Sequence, residues 1–367
     1  MVPKVVILGA GYAGVSAARR LARADTAVTI VNPRPEFVER IRLHQFVVGN
    51  HRAVHSLQSV LPESVALRQG SATSIATAEH RVRLVDGTEI DYDYVIYAVG
   101  SSGAELITGA GEHAVRLATW EDALAMRSRL NALPIGSTIT VVGGGLTAVE
   151  AAAELVGASG HRIRIITDGP IAHSVSERGR QRIRDHLTQD GIDVTEHVRV
   201  SEIGSDAVTL ADGRVLESDL TVDASAVAVP PLARASGLAT SPEGALTIAD
   251  TLVSISDASV IGAGDAVALQ YSPLRMSCQA AIPSGVHAAE TVLRLVAGTE
   301  PERLRRKFVA QCISLGRTSA LLQTSDSDDR PRPRAILSGR PAAAVKEVLC
   351  RSTLHFGRVG PVDFSWS

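Results

Sequence analysis

Short, unbroken runs of apolar, mostly β-branched residues recur along this chain, and glycine closes several of them. Val5-Val6-Ile7-Leu8 and Ile139-Thr140-Val141-Val142 are the clearest examples. Such runs, bounded by turn residues, predict strands buried on both faces, as in a parallel sheet. Small-residue segments follow each run and predict closely packed helices, from about Tyr12 to Ala24 and from the second glycine turn to about Ala158. Ala27 to Val31 and Ile163 to Ile166 then supply further strands. Arg81 to Gly100 (RVRLVDGTEIDYDYVIYAVG) resembles Ala207 to Ala226 (AVTLADGRVLESDLTVDASA). Each has a strand, an Asp-Gly step (Asp86-Gly87 or Asp212-Gly213), a short return strand and an acidic residue before a last apolar strand. Asp-Gly favours a tight hairpin. The same series of elements written twice predicts a duplicated α/β architecture.

The glycines that close the two main runs carry chemistry. Gly9, Gly11 and Gly14 form GxGxxG, and Gly143, Gly144 and Gly145 repeat it with Ala148 in the last place. In a strand–turn–helix setting the first glycine permits the turn. The second lets a pyrophosphate approach, and the third lets helix and strand pack closely. The helix N-terminus then faces the phosphate with free N–H groups. The strand after such a loop usually ends in an acidic residue that holds the ribose hydroxyls. Asn32 stands there in the first unit and can offer only a neutral hydrogen bond. In the second unit Asp168 follows just beyond the strand end, which favours NADH. Arg178, Arg180, Arg182 and Arg184 come later and are expected on a solvated helix surface. A third element, SVIGAG from Ser259 to Gly264 followed by Asp265, can bring a carboxylate and backbone N–H groups beside a cofactor.

Composition narrows the classes. Hydrophobic residues make up 45% of the 367 residues and the formal charge is −2, so a globular chain with no nucleic-acid groove is expected. The opening lacks a basic segment followed by a cleavable apolar one, and no clean twenty-residue apolar span occurs. A cytoplasmic protein is expected, with contact at a membrane periphery and a homodimer left open. Cys278, Cys312 and Cys350 form no CxxC pair, and no metal-ligand spacing is present.

Taken together, GAGYAG, YDYVIYAVGS, VVGGGLTAVE and VIGAGDAVA resemble the FAD-dependent pyridine-nucleotide oxidoreductases, over about Val2 to Ala297. Within that superfamily the chain looks closest to type II NADH dehydrogenase-like proteins. The resemblance implies an α/β fold with two Rossmann-like nucleotide-binding domains. The FAD domain would span 1–115 and 230–300, with an inserted NAD(P)-binding domain at 116–229 and a cap or interface region at 301–367. It implies FAD held by Gly9, Gly11, Gly14, Asn32, Gly100, Gly264 and Asp265, and NADH or NADPH held near Gly143, Gly145 and Asp168. Cys278, Gln279 and Ala280 would begin the helix beside the flavin. Hydride would pass from the nicotinamide to the flavin, and electrons then to a quinone-like or other small-molecule acceptor. The dithiol CxxxxC of disulfide reductases is missing, since Phe37 to Gly49 contains no cysteine.

Several side chains are candidates at the acceptor side. His44 could exchange a proton near its ordinary pKa of ~6.5. Arg42, or Arg40, could stabilise negative charge on the flavin or substrate, unless it pairs with Glu36 or Glu39. Gln279 could hydrogen-bond flavin or acceptor, or make a polar contact at the helix start. Cys278 is expected as a buried structural thiol, with a thiolate against the flavin as the alternative, and a structural histidine bonded to backbone or flavin phosphate is the alternative for His44. Two other functions stay open: direct oxidation of an organic substrate by the flavin, and an FAD-binding redox sensor or interaction protein. SDSDDRPRPR is expected to be a turn or mobile loop. AAAVKEVLCRSTL is expected to be an amphipathic helix that caps the cleft or makes a dimer contact.

Overall fold

The computed structural model describes residues 2–270, 274–356, 358, 359, 362, 363 and 366. Two five-stranded parallel sheets dominate it. In the first, Lys4–Leu8 lies between Ala27–Asn32 and Tyr94–Tyr97, with Ala66–Gln69 and Val260–Gly262 at the edges. In the second, Thr138–Val142 lies between Arg162–Ile166 and Leu220–Asp223, with Asp193–Thr195 and Ala114–Arg116 at the edges. Val5 to Leu8 and all of Thr138–Val142 are buried, as strands covered on both faces must be. The chain leaves the first sheet after Tyr97, builds the second from residue 114 to residue 223, and returns at Val260 to pair with Tyr94–Tyr97.

The duplication extends to single hydrogen bonds. Gly9 N–H donates to Val31 O and Gly143 N–H to Ile166 O, both at 2.8 Å. Both Asp-Gly hairpins close identically: Leu84 N–H donates to Thr88 O and Leu210 N–H to Arg214 O, both at 2.8 Å. The acidic residue before each apolar strand now has a purpose. The carboxylates of Asp93 and Asp219 accept the first N–H of the central strand, from Lys4 and Thr138, each at 2.7 Å.

Helix Cys278–Val296 lies across the first loop helix, Tyr12–Leu21. A Cβ on Gly285 would come 2.1 Å from Ala13 O, so only glycine permits that crossing. Ala281, Ala288 and Ala289 are buried along the same contact. This packing brings the N-terminus of the long helix to the first glycine loop.

The C-terminal region is an antiparallel sheet of Ala310–Ser314, Ala320–Ser325 and Pro331–Ser338, followed by helix Arg340–Ser352. SDSDDRPRPR is therefore not simply a loop. Asp326 accepts the N–H groups of Asp328 and Arg330 and so folds a tight turn, after which PRPR enters an edge strand. Pro and exposed Arg on an open edge also discourage pairing with another chain. Among the described residues, no helix is long and apolar enough to cross a membrane.

Candidate functional site

The two glycine loops sit at equivalent strand ends. Gly9 has φ +98°, and a Cβ there would lie 2.4 Å from Ala98 O. Gly143 has φ +124°, and a Cβ there would lie 2.5 Å from Ala224 O. Backbone conformation and close approach thus explain the first glycine of each loop. Gly11 and Gly145 differ. Their backbones are extended, at φ −81° and −70°, and a Cβ on either would meet nothing within 4 Å. The protein itself does not need these glycines, and each faces open space. Each is also the N-cap of its helix and supplies no side-chain hydrogen bond. By contrast, Thr119, Ser176 and Ser277 cap the helices that follow them with hydroxyl groups. The two loop helices therefore present uncapped N–H groups into free space, which is what a pyrophosphate requires.

The neighbouring strand ends complete the first site. Gly100 (φ +72°) ends the turn after Tyr94–Tyr97, and the Ser101 hydroxyl donates to the Asp265 carboxylate at 2.9 Å. Arg40 donates to the Ser101 hydroxyl at 3.1 Å, and its guanidinium lies 3.9 Å from Asp265. Gly264 N–H is held by the Ser284 hydroxyl at 3.1 Å, which fixes the Asp265 turn against the long helix. Asn32 is buried beneath the loop: its carbonyl oxygen accepts Ala10 N–H at 3.0 Å and its amide donates to Arg34 O at 2.7 Å. In the second unit the position equivalent to Asn32 belongs to Thr167, since Gly9 and Gly143 bond to Val31 and Ile166 respectively. Asp168 lies one residue further and is exposed.

Where the two units and the C-terminal region meet, a buried charge network forms. Arg42, 2% exposed, makes a bidentate pair with Glu347 at 3.0 and 3.2 Å, bonds Gln45 at 3.0 Å, and lies 3.4 Å from Glu39. Glu39 in turn meets His55 at 2.7 Å. One turn on, His44 Nδ1 lies 4.0 Å from Glu150, which is ion-paired to Lys346 and accepts Ser314 N–H at 2.8 Å. Lys346 also donates to Cys312 O at 3.1 Å.

Residues 3–285 match the family described as pyridine nucleotide-disulphide oxidoreductase. The chain belongs to this family. A NADH dehydrogenase-like protein of Mycobacterium tuberculosis is 27% identical over 94% of this chain and 92% of its own. A probable ferredoxin reductase of Castellaniella defragrans is 30% identical over 80% of this chain and 76% of its own. The sulfide:quinone oxidoreductase of Aquifex aeolicus shares the fold, with a TM-score of 0.85 at 18% identity over 97% of this chain and 92% of that one. The protein is an FAD-dependent NAD(P)H:acceptor oxidoreductase, and the two uncapped loops suit its two dinucleotides.

Several candidate side chains of the oxidoreductase lie in settings that the sequence did not convey. Arg42 pairs with Glu39, the alternative open from the sequence, and also with the distant Glu347, which anchors the C-terminal helix; Arg40 is the arginine beside Asp265. Gln279 accepts from Arg275 at 3.3 Å, and Arg275 is paired with Asp329 in the C-terminal turn. Burial pushes the Cys278 thiol up to about 12, so it stands as a thiol and not as a thiolate against the flavin. Burial likewise pushes His44 down to about 4, and Lys346 and Arg42 add to this against the pull of Glu150. His44 is therefore neutral at pH 7 and does not exchange a proton near 6.5, which favours the structural alternative.

That displacement has a measurable consequence. Between pH ~4 and ~6.5 the unfolded chain binds a proton at His44 that the folded chain refuses. Stability is then full above 6.5 and falls on acidification, by on the order of 3 kcal/mol once pH is below 4. His44→Asn is expected to flatten the denaturation profile across that window. An unchanged slope between pH 6.5 and 4 would refute the assignment. Glu150 and Lys346 are the residues that sequence reasoning passed over. Burial alone would raise the Glu150 carboxyl and lower the Lys346 ammonium. Each partner overrides this, so Glu150 lies below and Lys346 above its ordinary value.

Proposed function

We propose that the oxidoreductase takes hydride from NADH and passes the electrons to a quinone-like small molecule. One observation carries this reading: two uncapped, unobstructed glycine-loop helices occur in a chain whose thiols are all suppressed. Burial raises Cys278 to about 12 and Cys312 to about 11, and raises Cys350 as well. Thiols that remain protonated do not exchange with a disulfide, which speaks against a disulfide acceptor reduced through this chain's own cysteines. The NADH of one relative's name and the quinone of one structure's title support the two ends of the reaction.

FAD, held at the first loop, would supply the redox chemistry between nicotinamide and acceptor. The chain's own residues bind and orient. The loops at Gly11 and Gly145 would hold the two pyrophosphates. Asp265, Ser101 and Arg40 form a polar, pre-ordered group beside the first loop, and Arg40 keeps a positive charge there. Cys278 and Gln279 open the helix that packs on that loop; Cys278 contributes a neutral thiol, and Gln279 keeps amide N–H groups to donate.

Asp168 is assigned to the NADH ribose. Asp168→Asn is expected to raise KM for NADH roughly threefold to tenfold, because a neutral amide oxygen replaces a charged acceptor, and to leave kcat unchanged. Equal kinetics for the variant would remove Asp168 from the site. The reaction itself is tested by anaerobic mixing with NADH and with NADPH while flavin absorbance is followed, then by adding menadione. NADH should bleach the flavin and menadione should restore it. A flavin that NADH leaves oxidised, or that menadione leaves reduced, would sink the reading.

A further inference from the structure

The strand end after each glycine loop has two tasks. It ties the loop to the turn that follows, and it offers a side chain to the ribose. The two units divide these tasks differently. In the second unit the tie is made by backbone, with Ala172 N–H donating to Gly144 O at 2.6 Å. The Thr167 hydroxyl accepts Gly169 N–H at 3.4 Å and, among the described residues, no N–H of the loop. Asp168 takes no part in the tie and stays exposed.

In the first unit the tie is a side chain. Ala10 holds the loop position of Gly144, since Gly9 and Gly143 make the same bond. Asn32, 7% exposed, takes Ala10 N–H on its carbonyl oxygen at 3.0 Å and gives an amide N–H to Arg34 O at 2.7 Å. The amide cannot be turned over, because that would set donor against donor and acceptor against acceptor. The far end of this bridge is itself anchored. Gly70 N–H donates to Asn32 O at 2.9 Å, and the Arg34 guanidinium reaches both oxygens of Glu121 at 2.6 and 2.8 Å. The bridge needs a short side chain that accepts at one end and donates at the other. Asparagine does both, whereas an aspartate has no proton to give Arg34 O.

We infer that Asn32 is a positioning residue: a latch that holds the first loop in the shape that receives the FAD pyrophosphate, and not a contact to the adenosine ribose. The inference rests on FAD occupying the first loop. It inverts the expectation for an acidic residue at this place. A carboxylate here would weaken FAD binding, because it would set an anionic oxygen against Arg34 O in a nearly buried position. The loop would lose its anchored shape, and FAD would have to order it on binding.

FAD titrated into the flavin-stripped full chain, followed by flavin fluorescence, tests this, with FAD made from 2′-deoxyadenosine as the second ligand. Asn32→Asp should bind FAD about tenfold or more weakly than wild type. Asn32→Ala should also bind both ligands more weakly. The ratio of the two affinities should be the same in Asn32→Ala as in wild type, since a latch acts on the loop and not on the 2′-hydroxyl. If Asn32→Asp fails to fold, that ratio decides. Asn32→Asp binding FAD as tightly as wild type, or a ratio that narrows in Asn32→Ala, would overturn the latch. Gly11→Val keeps the two possible failures apart. If it binds FAD normally, the first loop is misplaced and the latch falls with it. If it loses FAD while Asn32→Asp does not, the latch alone is wrong.

Discussion

Gly11→Val is expected to yield a folded protein that does not keep its flavin. The backbone at Gly11 is extended, a conformation valine adopts readily, and a Cβ there touches nothing within 4 Å. The fold therefore loses no contact. The new side chain instead fills the space in front of the uncapped N–H groups. Each charge-assisted hydrogen bond lost to the pyrophosphate costs roughly 1.5–3 kcal/mol, so FAD affinity should fall by about a hundredfold. Flavin absorbance per mole of purified protein measures this. Thermal stability must be compared with flavin-stripped wild type, because bound FAD itself raises the apparent stability. Gly14→Val provides the contrast. A Cβ at Gly14 would lie 1.9 Å from Gly9 O, so that variant should fail to fold. Gly145→Val completes the set: it should retain full flavin yet resist reduction by NADH. A Gly11→Val protein that purifies fully yellow would refute the placement of the first cofactor.

These contrasts show what one sequence can reveal. Local backbone demands are legible because they act within a few residues. Two strand–loop–helix units and two Asp-Gly hairpins were visible for that reason, and even the repeated acidic residue proved to be a repeated hydrogen bond. Asp168 is intermediate. The strand end was found, but the parallel register that makes Thr167 the equivalent of Asn32 needs the neighbouring strand. Long-range pairing was not legible. Arg42 and Glu347 are 305 residues apart in sequence, and Glu150 and Lys346 are 196 apart. No periodicity links such positions. The sequence left His44 open between two roles for the same reason, since burial and distant charged partners set its protonation. The PRPR segment was misread because its charge and proline content suit a loop as well as they suit a protected edge strand.

Glu150 and Lys346 tie the second loop helix to the C-terminal helix, and breaking the pair should cost more than any surface substitution. Replacing either partner alone leaves a buried charge without its counter-ion, a loss of roughly 3–5 kcal/mol. The two single variants should not be equal. Lys346 lines a cavity of about 330 Å³ that Glu150 does not line, so the lysine can regain water when its partner is lost. It also keeps its bond to Cys312 O. Glu150, left alone, has only Ser314 N–H at 2.8 Å and the neutral His44. Lys346→Met should therefore destabilise more than Glu150→Gln. The double variant should be more stable than Lys346→Met alone, because it removes both desolvated charges together. The denaturation midpoints of all four proteins, measured at pH 7.5 with FAD saturating, decide the matter. If the two single losses simply add in the double variant, the pair has no coupling, and the C-terminal helix must be held to the nucleotide-binding units by other contacts.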